Sequence, residues 1–167
     1  LMNRRFDDAD ILVVYMDGIV VDRHHILAAV GVDGHGTKQI LGMAPGSSEN
    51  ARVAKDLLND LVQRGLRPES ERLFVIDGSK ALRSAIDEVF GEAARVQRCR
   101  THKVRNVTER LPKDLAAQVK SVMHAAYKLP DSLGIAKLKQ QASWLTTEHP
   151  DAAASLLEGL EETFTVN

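Results

Sequence analysis

Two apolar stretches of the chain each run straight into an aspartate, and this pattern predicts where functional residues lie. One stretch covers residues 11–16 and leads to Asp17; the other covers residues 73–76 and leads to Asp77; a glycine follows each aspartate. Continuous apolar runs are typical of strands buried on both faces of a sheet, and open α/β sheets place their sites at the carboxyl ends of strands. Two neighbouring carboxylates repel each other unless a cation separates them. We therefore expect Asp17 and Asp77 to share a divalent metal site.

The residues before position 45 predict an antiparallel meander of three strands. The pair Asp33-Gly34 marks a tight hairpin turn, because glycine readily adopts the positive φ that such turns need. The three strands are expected at about residues 11–21, 26–32 and 38–43.

Apolar positions at helical spacing predict two helices around the strand that leads to Asp77. Ser48 is a candidate cap for the first helix, whose apolar stripe stops at Gly65. A second helix follows Ser79, and residues 94–97 form a short strand.

From about Cys99 onward the pattern is helical throughout. Four apolar stripes follow one another, and Asp131 is a candidate cap for the third. Pro150 separates the third stripe from the fourth, which we expect to form one helix from Leu156 to Phe164.

This order of elements is that of a ribonuclease H-like fold, an α/β fold with a mixed sheet of three antiparallel and two parallel strands. Helices flank the sheet, and an all-helical insertion follows. We expect a ribonuclease H-like core over residues 1–110 and a helical region over residues 111–167. In this fold the first strand lies beside the strand that follows the first helix, which would bring Asp17 and Asp77 together.

Composition and charge limit the classes of function. The chain has 167 residues, of which 44% are hydrophobic and 27% charged, a profile typical of a globular protein. Because the net charge is only −1, a nucleic-acid partner must be bound by a local basic patch. The single cysteine excludes an internal disulfide and suits a reducing compartment, and no apolar run approaches the ~18 residues of a membrane span. We expect a cytoplasmic protein that does not bind membranes.

A block of basic residues lies where the last strand meets the helical region. Five basic side chains, counting His102, fall within eight residues. A solvated helix face is one interpretation and contact with DNA phosphates is the other. Cys99 and His102 have the spacing of half a zinc site, but the sequence offers no second half, so we favour a packing or hydrogen-bonding pair near the acids. The candidates for DNA contact are Arg98, Arg100, Lys103 and Arg105.

Six short segments stand in an order and spacing that resemble the catalytic domain of bacterial mutator-type insertion-sequence transposases. The similarity runs from about residue 10 to residue 128, with a weaker helical continuation. The segments are residues 15–18, 29–33, 40–42, 48–50, 75–82 and 97–107.

The resemblance implies a DDE transposase, an enzyme that nicks DNA and joins the freed 3′ hydroxyl to a target with the help of two Mg²⁺ or Mn²⁺ ions. Asp17 matches the first catalytic aspartate of the family and Asp77 the second, so both are expected to hold the metals. Cys99 and His102 match a signature near the active site. The implied partners are terminal inverted repeats, target DNA and further copies of the same chain.

The third catalytic residue of the family, a glutamate beyond the helical insertion, has no match in this sequence. The segment Thr146-Thr147-Glu148 lacks the asparagine and proline of the family motif and lies too early. Two carboxylates alone bind Mg²⁺ weakly. We therefore expect a fragment of a longer protein, with an incomplete catalytic core over residues 1–110 and a truncated helical insertion over residues 111–167. It should fold, at least in part, but neither cleave nor join DNA by itself.

Two other interpretations of the sequence remain open. A nuclease or resolvase of the same fold would hydrolyse DNA without joining it, although the helical insertion argues against such an enzyme. A non-enzymatic remnant of a mobile element would bind DNA or form oligomers only.

Overall fold

The computed structural model describes residues 3–167, and the chain divides into two compact units. The first unit extends to Val96 and the second covers Gln97–Asn167. The strands are β1 Ile11–Val21, β2 His24–Asp33, β3 Lys38–Pro45, β4 Arg72–Ile76 and β5 Ala94–Arg98. The α-helices are α1 Ala51–Gln63, α2 Lys80–Phe90, α3 Arg100–Thr108, α4 Lys113–Ala126, α5 Asp131–Leu145 and α6 Pro150–Leu157. Short 3₁₀ helices cover Gly91–Ala93 and Glu161–Phe164.

The five strands form one sheet in the order β3-β2-β1-β4-β5. The pairs β1–β2 and β2–β3 are antiparallel, whereas β1 and β4 are parallel. The predicted α/β class with a mixed sheet is therefore confirmed. The structure also confirms that the first strand lies beside the strand following the first helix, as the ribonuclease H-like order requires.

One face of the sheet packs against α1 and α2 to form the core of the first unit. Strand residues such as Val14 and Phe74 are fully buried, together with Leu58 and Leu61 of α1 and Ile86 of α2. Both helices carry their apolar residues at intervals of three and four, so one side of each faces the sheet.

The start of α1 differs from the sequence prediction, which gives the cap to Ser48. The cap is Asn50, whose side-chain oxygen accepts hydrogen bonds from the backbone N–H groups of Arg52 (3.1 Å) and Val53 (3.3 Å). The end of the helix agrees with the prediction, because Gly65 adopts a φ of 103° and its N–H donates to the Val62 carbonyl.

The second unit is a helical array with its own apolar core. Helix α3 packs against α4 and α6, and α5 packs against α4 and α6. Val107, Met123, Leu138 and Leu156 are fully buried within this array. The sequence predicts a boundary near residue 110, whereas the division into compact units falls between Val96 and Gln97 and places α3 with the later helices.

The fourth apolar stripe does not form one helix, and this part of the prediction is wrong. Helix α6 ends at Leu157, and Gly159 then adopts a φ of 56°, which interrupts the helix. Leu160 and Phe164 lie beyond this break, yet both are buried in the helical core.

Asp131 is the first residue of α5, preceded by Pro130 at the cap position. Over residues 3–167, no helix combines the length and apolar character that crossing a membrane requires.

Candidate active site

Asp17 and Asp77 occupy neighbouring positions on parallel strands. The register between β1 and β4 pairs Val13 with Leu73 and continues to the pair Met16 and Ile76. The next residue of each chain segment is the aspartate, so the two occupy equivalent positions at the end of the shared ladder. Adjacent strands are about 4.8 Å apart, and both aspartates are half-buried.

Hydrogen bonds orient the carboxylate of Asp77. Its Oδ1 accepts the backbone N–H of Ser79 at 2.8 Å, and its Oδ2 accepts the hydroxyl of Ser48 at 3.2 Å. Each oxygen retains a further lone pair, because a carboxylate offers about four acceptor positions. The two contacts therefore fix the side chain without using all of its capacity to bind a cation.

The two serines also connect the loops that precede α1 and α2. The hydroxyl of Ser79 donates to the carbonyl of Ser48 at 2.8 Å and accepts the N–H of Leu82 at 3.2 Å. Ser79 thus caps α2, the helix that the sequence predicts after this residue, and binds the loop before α1 at the same time. The loop that carries Asp77 is therefore held both by the start of α2 and by the loop before α1.

Gly18 explains why a glycine follows Asp17. A Cβ at this position would lie 3.2 Å from Oγ of Ser48, which is tighter than ordinary van der Waals contact. The absent side chain lets the Ser48 loop approach β1 directly beside Asp17. Asp17 itself remains within β1, where its backbone pairs with Ala28 of β2.

Two residues of the basic block, Arg98 and Lys103, are buried within the helical unit. Arg98 is 6% exposed, donates to the Glu158 carbonyl at 2.8 Å and lies 3.3 Å from its carboxylate. Lys103 is fully buried, and its ammonium donates to the carbonyls of Ser155 and Glu158. Burial lowers the pKa of Lys103 to about 7, and the neighbouring Arg98 and Arg110 act in the same direction while Glu158 opposes them.

The other two basic candidates have different surroundings. Arg100 donates to the Thr163 carbonyl at 2.8 Å, and its guanidinium lies 4.7 Å from the ring centre of Tyr127 and 5.5 Å from that of Phe164. Burial lowers the pKa of Arg100. Arg105 is exposed, with Nε 3.8 Å from the carboxylate of Glu109. Of the four predicted DNA contacts, Arg105 is thus the one whose side chain extends into solvent.

Cys99 and His102 lie at the start of α3. Cys99 occupies the cap position of this helix, and both side chains are half-buried. Within residues 3–167, no group of three or more histidine, cysteine, aspartate or glutamate side chains is arranged to hold a metal ion.

Comparison with known families shows the family to which the chain belongs. The family model described as "Transposase, Mutator family" matches residues 5–166. The chain belongs to the mutator family of transposases. The family recognition made from the six sequence segments is thereby confirmed.

Individual insertion-sequence transposases are similar over most of this chain. The transposase for insertion sequence element IS1081 of Mycobacterium tuberculosis is 33% identical over 150 residues, which is 89% of this chain and 35% of that protein. The transposase for ISRM5 of Rhizobium meliloti is 34% identical over 149 residues, covering 87% and 36%. The transposase for IS6120 of Mycolicibacterium smegmatis is 28% identical over 166 residues, covering 95% and 50%. The chain therefore spans between about a third and a half of the length of these transposases.

In this mutator-family chain, Ser48 contacts the candidate site through Asp77. The sequence prediction missed this contact, because it treats Ser48 only as a helix cap. The structure makes it a hydrogen-bond donor to Asp77, with Asn50 as the cap instead. A signal was available, because one segment, Ser48-Glu49-Asn50, offers two capping side chains for a single helix start. A helix start needs only one capping side chain, so the other side chain of this segment could make a different contact.

The two aspartates at the end of the β1–β4 ladder fit part of a Mg²⁺ site. Mg²⁺ prefers oxygen ligands and is commonly held by one or two carboxylates together with waters and substrate phosphates. Asp17 and Asp77 supply two such carboxylates on adjacent strands, and the bonds from Ser48 and Ser79 hold one of them in position.

Proposed function

We propose that this chain is part of the catalytic domain of a DDE transposase, in which Asp17 and Asp77 hold divalent metal ions for DNA cleavage and strand transfer. The observation that supports this proposal most directly is the parallel register of β1 and β4, which places the two aspartates at equivalent positions in a chain of the mutator family. Phosphodiester transfer uses carboxylates at such a position because they hold the metal ions that stabilise the negative charge developing on the reacting oxygens.

Asp17 and Asp77 would hold Mg²⁺ or Mn²⁺ between β1 and β4. When bound, such ions activate the attacking oxygen and stabilise the leaving oxygen of an in-line displacement. This chain holds both residues in place. The β1–β2 ladder holds the backbone of Asp17, and the hydrogen bonds from Ser48 and Ser79 hold the carboxylate of Asp77. Preorganised carboxylates avoid a reorganisation cost at the moment of reaction.

The chain alone is proposed to be inactive in cleavage and strand transfer. The third carboxylate that the family resemblance implies has no counterpart in the sequence motifs of this chain. Two carboxylates bind Mg²⁺ weakly and leave a second ion poorly held. Terminal inverted repeats and target DNA are the proposed substrates of the full-length enzyme, which we propose acts as a homo-oligomer. Arg98, Arg100, Lys103 and Arg105 remain predicted DNA contacts, with Arg105 the most accessible of them.

A strand-transfer assay tests the proposal. In the full-length transposase, Asp17→Asn should abolish both cleavage and joining of terminal-repeat DNA with Mg²⁺ or Mn²⁺, because a neutral amide holds a divalent cation poorly. Asp22→Asn, at the exposed turn that ends the same strand, is the matched control and should retain activity. Wild-type strand transfer by the Asp17→Asn enzyme, or robust activity from residues 1–167 alone, would contradict the proposal. Products that are hydrolysed but never joined would indicate a nuclease.

A further inference from the structure

The exposed face of α4 carries an unusual concentration of basic side chains. Lys113, Lys120 and His124 lie along one side of the helix, and Lys128 follows in the turn that closes it. At 100° per residue the four positions fall within an arc of about 80°. All four are exposed, whereas the opposite side of the helix carries the buried Val119, Met123 and Ala126. We call these four residues the α4 basic face.

The lysines of the α4 basic face are not neutralised by the protein. Among the ion pairs formed by residues 3–167, none involves Lys113, Lys120 or Lys128. The nearest acid on the helix, Asp114, lies outside the arc, about 40° beyond the position of Lys128. By contrast, Lys139 on α5 lies 3.5 Å from the carboxylate of Glu161. Because no acid in the described part of the chain pairs with these three lysines, the face keeps its positive charge and favours an external anion.

Small residues between the cations shape this surface. Ala117, Ser121 and Ala125 separate Lys120, His124 and Lys128, and together the six line a groove of about 540 Å³. An extended anionic backbone can therefore approach the helix closely, with a cation on either side of its path. No large apolar side chain lines the groove. Protein partners usually anchor on buried aromatic or aliphatic residues, so the groove lacks the feature that a protein partner would use. A regularly charged polymer fits this surface better than a folded protein does.

We propose that the α4 basic face binds the phosphate backbone of double-stranded DNA without reading its sequence. The face extends over about 22 Å, since fifteen residues at 1.5 Å each separate Lys113 from Lys128. Duplex DNA presents one charge per ~1.7 Å of its axis, so several phosphates lie within that length. Lysines that contact phosphates position a protein on DNA but carry no sequence information. This inference rests on the proposed function, because it names a surface by which the same transposase contacts DNA.

A salt-dependent binding assay on the 167-residue chain tests the inference. The probe is a fluorescently labelled 30-base-pair duplex of arbitrary sequence, followed by anisotropy between about 0.05 and 0.2 M salt. The variant is Lys113→Gln/Lys120→Gln/Lys128→Gln, because glutamine has a helix propensity similar to that of lysine. Each lost phosphate contact should weaken binding about eightfold at 0.1 M salt and reduce the slope of log K against log salt by about 0.9.

The matched control is Lys139→Gln, which removes one positive charge from the same helical unit but from outside the α4 basic face. It should bind like the wild type, and circular dichroism should show unchanged helix content in both variants. The inference is overturned if the wild-type chain does not bind the duplex at 0.05 M salt, or if the triple variant binds with unchanged affinity and slope. Preference for poly-glutamate over DNA of equal charge would also overturn it and assign the face to an acidic protein.

The outcome is separable from that of the proposed function. If the α4 variant binds normally while Asp17→Asn still abolishes strand transfer in the full-length enzyme, the catalytic proposal stands and the α4 surface is wrong. If the α4 variant loses DNA binding but the full-length enzyme joins DNA without Asp17, the surface stands and the catalytic proposal is wrong.

Discussion

Replacing Lys103 with methionine should remove a pH dependence from the stability of the helical unit. The ammonium of Lys103 is fully buried, where it donates to the carbonyls of Ser155 and Glu158 near the end of α6. Burial and the nearby Arg98 and Arg110 lower its pKa from 10.5 to about 7. The unfolded chain therefore binds a proton at this site between pH 7 and 10.5, whereas the folded chain does not.

The sign and size of the effect follow from proton linkage. Stability rises with pH wherever the unfolded state binds more protons, by up to about 1.4 kcal/mol per pH unit. With pKa values of about 7 when folded and 10.5 when unfolded, the free energy of unfolding should increase by about 3 kcal/mol from pH 7 to 9.5. Methionine has no proton to lose, so the Lys103→Met variant should lack this increase.

Urea unfolding at pH 7, 8, 9 and 9.5 measures the difference between the two proteins. Far-ultraviolet circular dichroism follows this unfolding, because most of the α-helical residues of the chain lie in α3 to α6. Other groups that titrate in this range do so in both proteins, so their contributions cancel in the comparison. Lys139→Gln is the control and should follow the wild type. If the difference in stability between wild type and Lys103→Met stayed constant with pH, the linkage argument would be refuted.

Two further substitutions test packing and the site. Gly134→Ala should destabilise the helical unit by about 1–3 kcal/mol, because the added Cβ would collide with the ring of Phe164; an unchanged urea midpoint would contradict this. Ser48→Ala removes the hydroxyl that donates to Asp77 and should cost about 1 kcal/mol. Ser47→Ala is its control, and circular dichroism during urea unfolding is the measurement; equal stability of both variants would show that the Ser48 bond contributes nothing.

The strands were predictable because their signals are local, whereas the pairing of the two acidic segments followed from the ribonuclease H-like order of the elements. An apolar run followed by an aspartate and a glycine occurs twice, and the strand order then determines which strands are neighbours. The structure adds the register that brings Asp17 level with Asp77. A tight turn fixes the register of a hairpin, but the parallel strands β1 and β4 have no such turn between them, so the pattern of a single strand leaves their register open.

The break after α6 was not predictable from apolar spacing, because Leu156, Leu160 and Phe164 keep the intervals of a helix. All three are buried in the same core although Gly159 interrupts the helix. Spacing reports which residues face the core, and a turn can satisfy that requirement as well as a continuous helix. The only local signal in the sequence was the glycine at position 159, and a single glycine is a weak signal.

The density of positive charge in the sequence is a poor guide to which cations are available to a partner. The block around Lys103 is the densest in the chain, yet Arg98 and Lys103 donate to backbone carbonyls at the end of α6, which have no partner within that helix. Long side chains can bury their stems and still reach such carbonyls. The lysines of the α4 basic face are spaced by seven and eight residues, so they form no dense block in the sequence. This spacing nevertheless keeps them on one exposed face. Accessible charge is a property of the folded helix face, and only structure distinguishes it from charge used internally.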